Sequence, residues 1–144
     1  MRVVVDTNTL LSGLFFPGNE RELVISAIHG RVRLLLPEDG SDELFRVIEE
    51  SFRDSPLLDE GLRLLVRLLR VMEQVPRETY AERVPRWVAR MRDPADAFIF
   101  ACAEALHADG IVSGDRDVLA VQDREGVQVF RTRQLLNELR RSER

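Results

Sequence analysis

The chain has 144 residues, of which 44% are hydrophobic and 32% are charged, and we interpret it as one folded domain over residues 1–144. No apolar run is long enough to span a bilayer, and Asp6 stands where a signal peptide's apolar segment would continue. The single cysteine, Cys102, cannot form an internal disulfide. These features argue against membrane and disulfide-rich secreted classes, and we expect a cytoplasmic protein.

The charge balance gives two opposing indications about nucleic acid. The net charge of −4 argues against a simple nucleic-acid binder, because such proteins are usually basic. All 21 basic residues are arginine, whose planar guanidinium suits phosphate. Genomic base composition or a hot habitat explains the absence of lysine more simply.

The first half of the chain alternates apolar runs with helical patterns. A β-branched run predicts a strand over 3–5, followed by a short helix over 7–14. Asn19 is placed to cap a helix ending near 28, with Gly30 as its stop. Next come a strand over 32–36, a polar turn over 38–41, and helices over 42–52 and 58–73. The last helix carries leucines at helical spacing, which predict a core face or, alternatively, a dimer or partner surface; they are Leu62, Leu65, Leu68 and Leu69.

The second half continues the alternation. We predict a short strand over 71–76 and short helical pieces over 79–91 that Pro85 interrupts. Asp93 followed by proline is typical of a helix start. The remaining predictions are a helix over 95–107, strands over 110–113 and 127–130, and a helix over 132–141. This order predicts an α/β domain with a mostly parallel sheet.

Acidic residues follow or precede successive predicted strands, where ligands bind in open α/β sheets. A cluster of carboxylates without histidine, cysteine or lysine suits Mg²⁺ or Mn²⁺ rather than zinc. Two such ions would balance four carboxylates and could promote phosphoryl displacement by water. The candidate acids are Asp6, Asp42, Glu43, Asp93, Asp96, Asp115 and Asp117.

Each acid also has a purely structural interpretation. Asp6 and Asp93 each precede a predicted helix and could be N-caps, and Asp115 could cap a short helix over 116–121. Asp96 could complement a helix dipole, and the remaining acids could be solvated. Arg116 could bind a phosphate or pair with the acids beside it. The joint placement at strand ends is harder to explain by capping than any single acid is.

Four segments together resemble the PIN-domain family, and closest is its bacterial group of VapC-like ribonucleases, described as toxins of toxin–antitoxin systems. Their order and spacing agree with the family over nearly the whole chain. The segments are 3–8 (VVVDTN), 42–48 (DELFRVI), 93–99 (DPADAFI, then Ala101 and Ala103) and 112–119 (VSGDRDVL).

The resemblance implies a three-layer α/β/α fold and cleavage of RNA that depends on Mg²⁺ or Mn²⁺. It also implies a homodimer and an antitoxin partner. By the same resemblance, the catalytic and metal-binding acids are Asp6, Glu43, Asp96 and Asp115, with Asp117 as an auxiliary ligand, Asn8 and Ser113 as polar supports, and Arg116 as a possible contact to substrate.

One segment departs from the family pattern. The residues before Glu43 are usually apolar, whereas here they read Asp39-Gly40-Ser41-Asp42. A slip in register there would place Asp42 at the metal instead of Glu43.

Two other function classes compete with the nuclease. The net acidity and the altered segment favour a PIN fold that binds RNA or protein with little catalysis. An aspartyl-phosphate enzyme or receiver domain also places Asp after a first strand. However, position 8 is Asn where the phosphatase type requires Asp, and the chain lacks the lysine of the receiver type.

Overall fold

The computed structural model describes residues 1–143, except for the side chains of residues 122–124. The described residues form five strands, eight α-helices and three 3₁₀ segments in one α/β unit. The strands are β1 (Arg2–Val5), β2 (Arg33–Pro37), β3 (Glu73–Val75), β4 (Gly110–Val112) and β5 (Val129–Phe130). The helices are α1 (Thr7–Phe15), α2 (Asn19–Ile28), α3 (Glu38–Ser51), α4 (Leu58–Leu69), α5 (Val84–Val88), α6 (Ala97–Ala105), α7 (Arg116–Glu125) and α8 (Thr132–Ser142). The 3₁₀ segments are Arg77–Thr79, Ala81–Arg83 and Pro94–Asp96.

The sheet is parallel throughout, in the order β3-β2-β1-β4-β5. All five carboxyl ends therefore lie along one edge, as the alternation of strands and helices predicts. Of the described helices, none is both long and apolar enough to cross a membrane.

Successive strand residues point to opposite faces of the sheet and enter two separate cores. Val3 and Val5 pack with α1, α2, α3, α4 and α8, whereas Val4 packs with α5, α6 and α7. The predicted three-layer α/β/α architecture is confirmed. The leucine stripe of α4 is mainly core, since Leu65 and Leu68 are buried.

Several predicted boundaries are wrong, and the largest error is at α3. The stretch over 38–41 is not a turn, because α3 begins at Glu38 directly after Pro37. Two acids in its first turn complement the helix dipole. Gly40 is helical rather than a turn residue, and a Cβ there would lie 3.2 Å from Leu36 and 3.5 Å from the Thr7 hydroxyl. Glycine therefore allows the close packing of α3 against the β1–α1 junction.

Smaller corrections have local causes. Gly18, with φ of 139°, is the N-cap of α2, and Asn19 is the first helical residue. Pro85 lies in the first turn of α5, where its missing N–H is tolerated, and so does not interrupt a helix. The helix predicted over 58–73 ends at Leu69, and the one over 95–107 is divided into Pro94–Asp96 and α6.

Candidate active site

Four carboxylates from four different elements line one small pocket at the carboxyl edge of the sheet. We call this the acidic pocket, and its lining residues are Asp6, Thr7, Asn8, Glu43, Asp96, Phe98, Ile99 and Asp115. The sheet brings two of these acids together directly, because Val5 pairs with Val112 across neighbouring parallel strands. Asp6 and Asp115 follow those two strands.

Asp6 is held rigidly at the end of β1. Its side chain is only 8% exposed, and one carboxylate oxygen accepts a hydrogen bond of 2.8 Å from the Thr9 amide. The other oxygen accepts a hydrogen bond from the Ser113 hydroxyl. Asp6 is therefore both the N-cap of α1 and a wall of the acidic pocket, so the structural and functional interpretations coexist.

Ser113 connects the two strand-end acids. It is fully buried, and its hydroxyl accepts a hydrogen bond of 3.0 Å from the Asp115 amide while it donates to Asp6. Asp115 in turn caps α7, because one of its oxygens accepts from the amides of Asp117 at 2.8 Å and Val118 at 3.3 Å. These bonds fix the separation of Asp6 and Asp115.

Asp96 carries the clearest electrostatic sign of crowded acids. Burial, the largest cause, and the nearby carboxylates of Asp115, Asp93, Asp6 and Glu43 together raise its pKa to about 6. Its side chain makes no capping hydrogen bond, whereas Asp93 caps the preceding turn by accepting a 3.0 Å bond from the Ala95 amide. Of this pair, Asp96 lines the acidic pocket and Asp93 does not.

On α3 the structure separates the two neighbouring acids whose register the sequence left open. Glu43 lines the acidic pocket. Asp42 lies 2.8 Å from the Arg77 guanidinium, and its side chain is 68% exposed. The acid brought to the other three carboxylates is therefore Glu43.

The remaining predicted site residues lie around the pocket rather than deep within it. Asn8 is exposed on its rim. Asp117 lies in the first turn of α7 and does not line the acidic pocket. Arg116 is exposed and forms no ion pair with a described residue.

Sequence reasoning missed two contributors to this region. The Thr7 hydroxyl donates a 3.1 Å hydrogen bond to the Gly40 carbonyl, which joins α3 to the end of β1. Glu20 of α2 lines a groove that continues from the acidic pocket and also includes Ser12 and Gly114. Thr7 could have been suspected from its position after Asp6, but no local signal marks Glu20, which only the tertiary fold brings near.

The donor chemistry of the pocket fits a hard divalent cation, because its charged groups are all carboxylates. The geometry is less complete. Among the described residues, no three acidic, histidine or cysteine side chains are close enough together to hold one ion. Asp6 and Asp115 are restrained by hydrogen bonds, whereas Glu43 and Asp96 accept none from a described residue. Convergence on a cation would therefore require rotation of those two side chains.

Comparison with known families assigns the chain to a family. A family model described as PIN domain matches residues 2–117. The chain belongs to the PIN-domain family. The match contains all four acids of the acidic pocket and ends at Asp117.

Solved structures share the PIN fold at low sequence identity. PAE2754 from Pyrobaculum aerophilum is 20% identical, with a TM-score of 0.70 and coverage of 98% of this chain and 90% of that one. VapBC2 from Rickettsia felis bound to a DNA fragment from their promoter is 12% identical, with a TM-score of 0.61 and coverage of 91% and 98%. FitAcB from Neisseria gonorrhoeae is 19% identical, with a TM-score of 0.59 and coverage of 92% and 98%. The search of curated proteins found no match.

Proposed function

We propose that this PIN domain is a metal-dependent endoribonuclease, in which Asp6, Glu43, Asp96 and Asp115 bind Mg²⁺ or Mn²⁺ and Asp117 is an auxiliary ligand. PIN domains are generally nucleases. The observation that carries the proposal is that four carboxylates line one pocket, where their mutual repulsion and burial raise the pKa of Asp96. A divalent cation would offset this repulsion.

Other nucleophiles are poorly placed in the described part of the chain. Ser113 is buried and its hydroxyl is engaged by Asp6, so it cannot reach a substrate. Cys102 is buried, and burial raises the pKa of its thiol to about 12. His29 and His107 are exposed and do not line the acidic pocket. Water is therefore the proposed nucleophile for hydrolysis of the phosphodiester bond.

The polar residues in and beside the acidic pocket fall into three groups in this mechanism. Bound metal would supply a Lewis acid and lower the pKa of water. Asp6 and Asp115 are preset by Ser113 and the helix-capping amides, whereas Glu43 and Asp96 would complete the ligand set. Asn8, on the rim, would orient water or the scissile phosphate, and Arg116 would contact a neighbouring phosphate.

Cleavage of single-stranded RNA with Mg²⁺ or Mn²⁺ tests the proposal. We expect the wild type to cleave, and Asp6→Asn and Asp96→Asn to lose activity by at least about 100-fold, as removal of electrostatic groups at active sites commonly does. The matched control is Asp59→Asn, at an exposed position of α4. Equal activity in wild type and Asp6→Asn would overturn the proposal, and cleavage of DNA alone would overturn its RNA specificity.

We further propose that the protein is cytoplasmic, and that it is homodimeric and the toxin of a toxin–antitoxin pair, as the resemblance implies. An apolar surface that a second copy or an antitoxin could cover supports this proposal: on α4, Leu62 is 37% and Val66 is 51% exposed. Sedimentation of the purified protein tests the dimer. Growth arrest on expression, relieved by the product of an adjacent small reading frame, tests the toxin; normal growth with active nuclease would contradict it.

A binding module with little catalysis remains the second candidate. It is favoured by the absence, among the described side chains, of three ligands close enough for one ion. Calorimetric titration with Mn²⁺ separates the candidates, because lack of binding at millimolar metal together with retained RNA binding would favour the module.

A further inference from the structure

The acids at the start of α3 are organised by a single arginine. Over Glu38–Glu43 this helix carries four acidic residues. The Arg77 guanidinium contacts three of them: Glu38 at 2.7 Å, Asp39 at 2.9 Å and Asp42 at 2.8 Å. Its backbone amide also donates a 3.0 Å hydrogen bond to Glu38. The acid that Arg77 leaves out is Glu43, which lines the acidic pocket.

Tyr80 attaches the same turn of α3 to the protein core. The side chain is fully buried and packs in the core beneath α5, α6 and α7. Its hydroxyl donates a 2.6 Å hydrogen bond to the Asp39 carboxylate and accepts one of 3.1 Å from the Asp39 amide. Burial and the bond to Asp39 both raise the pKa of Tyr80. Asp39 is therefore held between Arg77, which is exposed, and Tyr80, which is not.

The contacts of Arg77 and Tyr80 bear on which acid of α3 faces the acidic pocket. Adjacent helical residues are about 100° apart around the axis, so the direction in which the first turn of α3 faces decides whether Asp42 or Glu43 lies at the acidic pocket. The Thr7–Gly40 hydrogen bond fixes one side of the first turn. Arg77 and Tyr80 fix the other side, and Arg77 also neutralises the acids that would otherwise compete for a cation.

We propose that Arg77 and Tyr80 are positioning residues that orient α3, so that Glu43 faces the acidic pocket and its three acidic neighbours do not. The inference rests on the proposed metal-binding function. It accounts for the departure of this segment from the family pattern, since the additional acids are partners of Arg77 rather than members of the site.

The test is a double-mutant cycle in Mn²⁺ affinity, measured by calorimetry without RNA. Tyr80→Phe removes the hydroxyl without changing charge, and Glu43→Gln removes the carboxylate on which the hydroxyl is proposed to act. We expect Tyr80→Phe to raise the Mn²⁺ Kd about 3- to 10-fold, below the effect typical of groups bonded directly to a ligand. In the Glu43→Gln background, Tyr80→Phe should leave Kd unchanged.

A second cycle uses Arg77→Lys, which keeps the charge but loses the planar fork that contacts three carboxylates together. Arg77→Lys should weaken Mn²⁺ binding when Glu43 is present and should leave Kd unchanged in the Glu43→Gln background. Val121→Ala is the control for general loosening, because Val121 is buried in the same core as Tyr80 but lies on α7 rather than on α3. It should lower the melting temperature without changing Kd.

The results separate failure of the positioning role from failure of the proposed metal-binding function. If the wild type binds Mn²⁺ but neither Tyr80→Phe nor Arg77→Lys changes Kd, the positioning role is wrong and the proposed function stands. Equal losses with and without Glu43 would also overturn it, because they would indicate general loosening. If the wild type binds no Mn²⁺, both proposals fail.

Discussion

The buried Ser113 hydroxyl donates a hydrogen bond to the carboxylate of Asp6, which joins the ends of two neighbouring parallel strands. The same hydroxyl accepts from the Asp115 amide at 3.0 Å. Because β1 and β4 are paired in register, this one side chain sets two of the four acids before any cation arrives.

Ser113→Ala should destabilise the fold and weaken metal binding together. The substitution leaves a buried Asp6 oxygen and the Asp115 amide without this partner, and each unsatisfied group costs about 1 to 3 kcal/mol. Urea unfolding gives the stability and Mn²⁺ calorimetry the affinity. A variant as stable as wild type, with unchanged Kd, would show that the bridge has no organising role.

Asp96→Asn should stabilise the metal-free protein at neutral pH. The folded-state pKa of Asp96 is raised from 3.8 to about 6, so the folded state holds the proton more tightly than the unfolded state. The associated stability is complete below pH 4 and is lost as the pH rises to about 6. After allowance for solvent screening, we expect the variant to be about 1 to 2 kcal/mol more stable at pH 8.

The measurement is chemical unfolding in EDTA at pH 4 and pH 8 for wild type and Asp96→Asn. The two proteins should have similar stability at the lower pH and diverge at the higher one. A difference in stability that is the same at both values would mean that ionisation of Asp96 is not its cause.

Divalent metal should reverse the order of these two proteins. A ligand that binds only the folded state adds about 2.7 kcal/mol at 100 times its Kd. Mn²⁺ should therefore raise the melting temperature of the wild type by several degrees and that of Asp96→Asn by much less. Equal shifts in both proteins would indicate that the cation binds outside the acidic pocket.

Arg116→Ala should weaken RNA binding without altering metal affinity. The side chain is exposed beside Asp115 and pairs with no described acid, so it is available to a phosphate. Loss of one phosphate contact should reduce the magnitude of the slope of log K against log salt by about 0.7, the value for single strands. Binding can be measured with the inactive Asp6→Asn protein, and Arg63→Ala, at an exposed position of α4, is the matched control. Parallel losses in both arginine variants would contradict a specific role for Arg116.

Some features of the fold follow from local sequence, and others do not. The β-branched run before Asp6 and the Asp93–Pro94 pair have local signatures of a buried strand and a helix start, and both predictions are confirmed. The start of α3 was missed because Glu38, Asp39 and Gly40 have a turn-like composition. The side chains that bind this turn, Arg77 and Tyr80, come about forty positions later in the chain.

The same limit applies to the candidate site. Strand-end acids are visible in the sequence because a parallel sheet aligns its carboxyl ends. The choice between Asp42 and Glu43 is not visible, because it depends on the distant Arg77.

The most direct test of the central claim is anomalous diffraction from crystals soaked in Mn²⁺. We expect a peak among the carboxylates of Asp6, Glu43, Asp96 and Asp115, with Glu43 and Asp96 rotated towards it. A peak only beside Glu38, Asp39 and Asp42, or no peak at millimolar Mn²⁺, would contradict the assignment of the acidic pocket as a metal site.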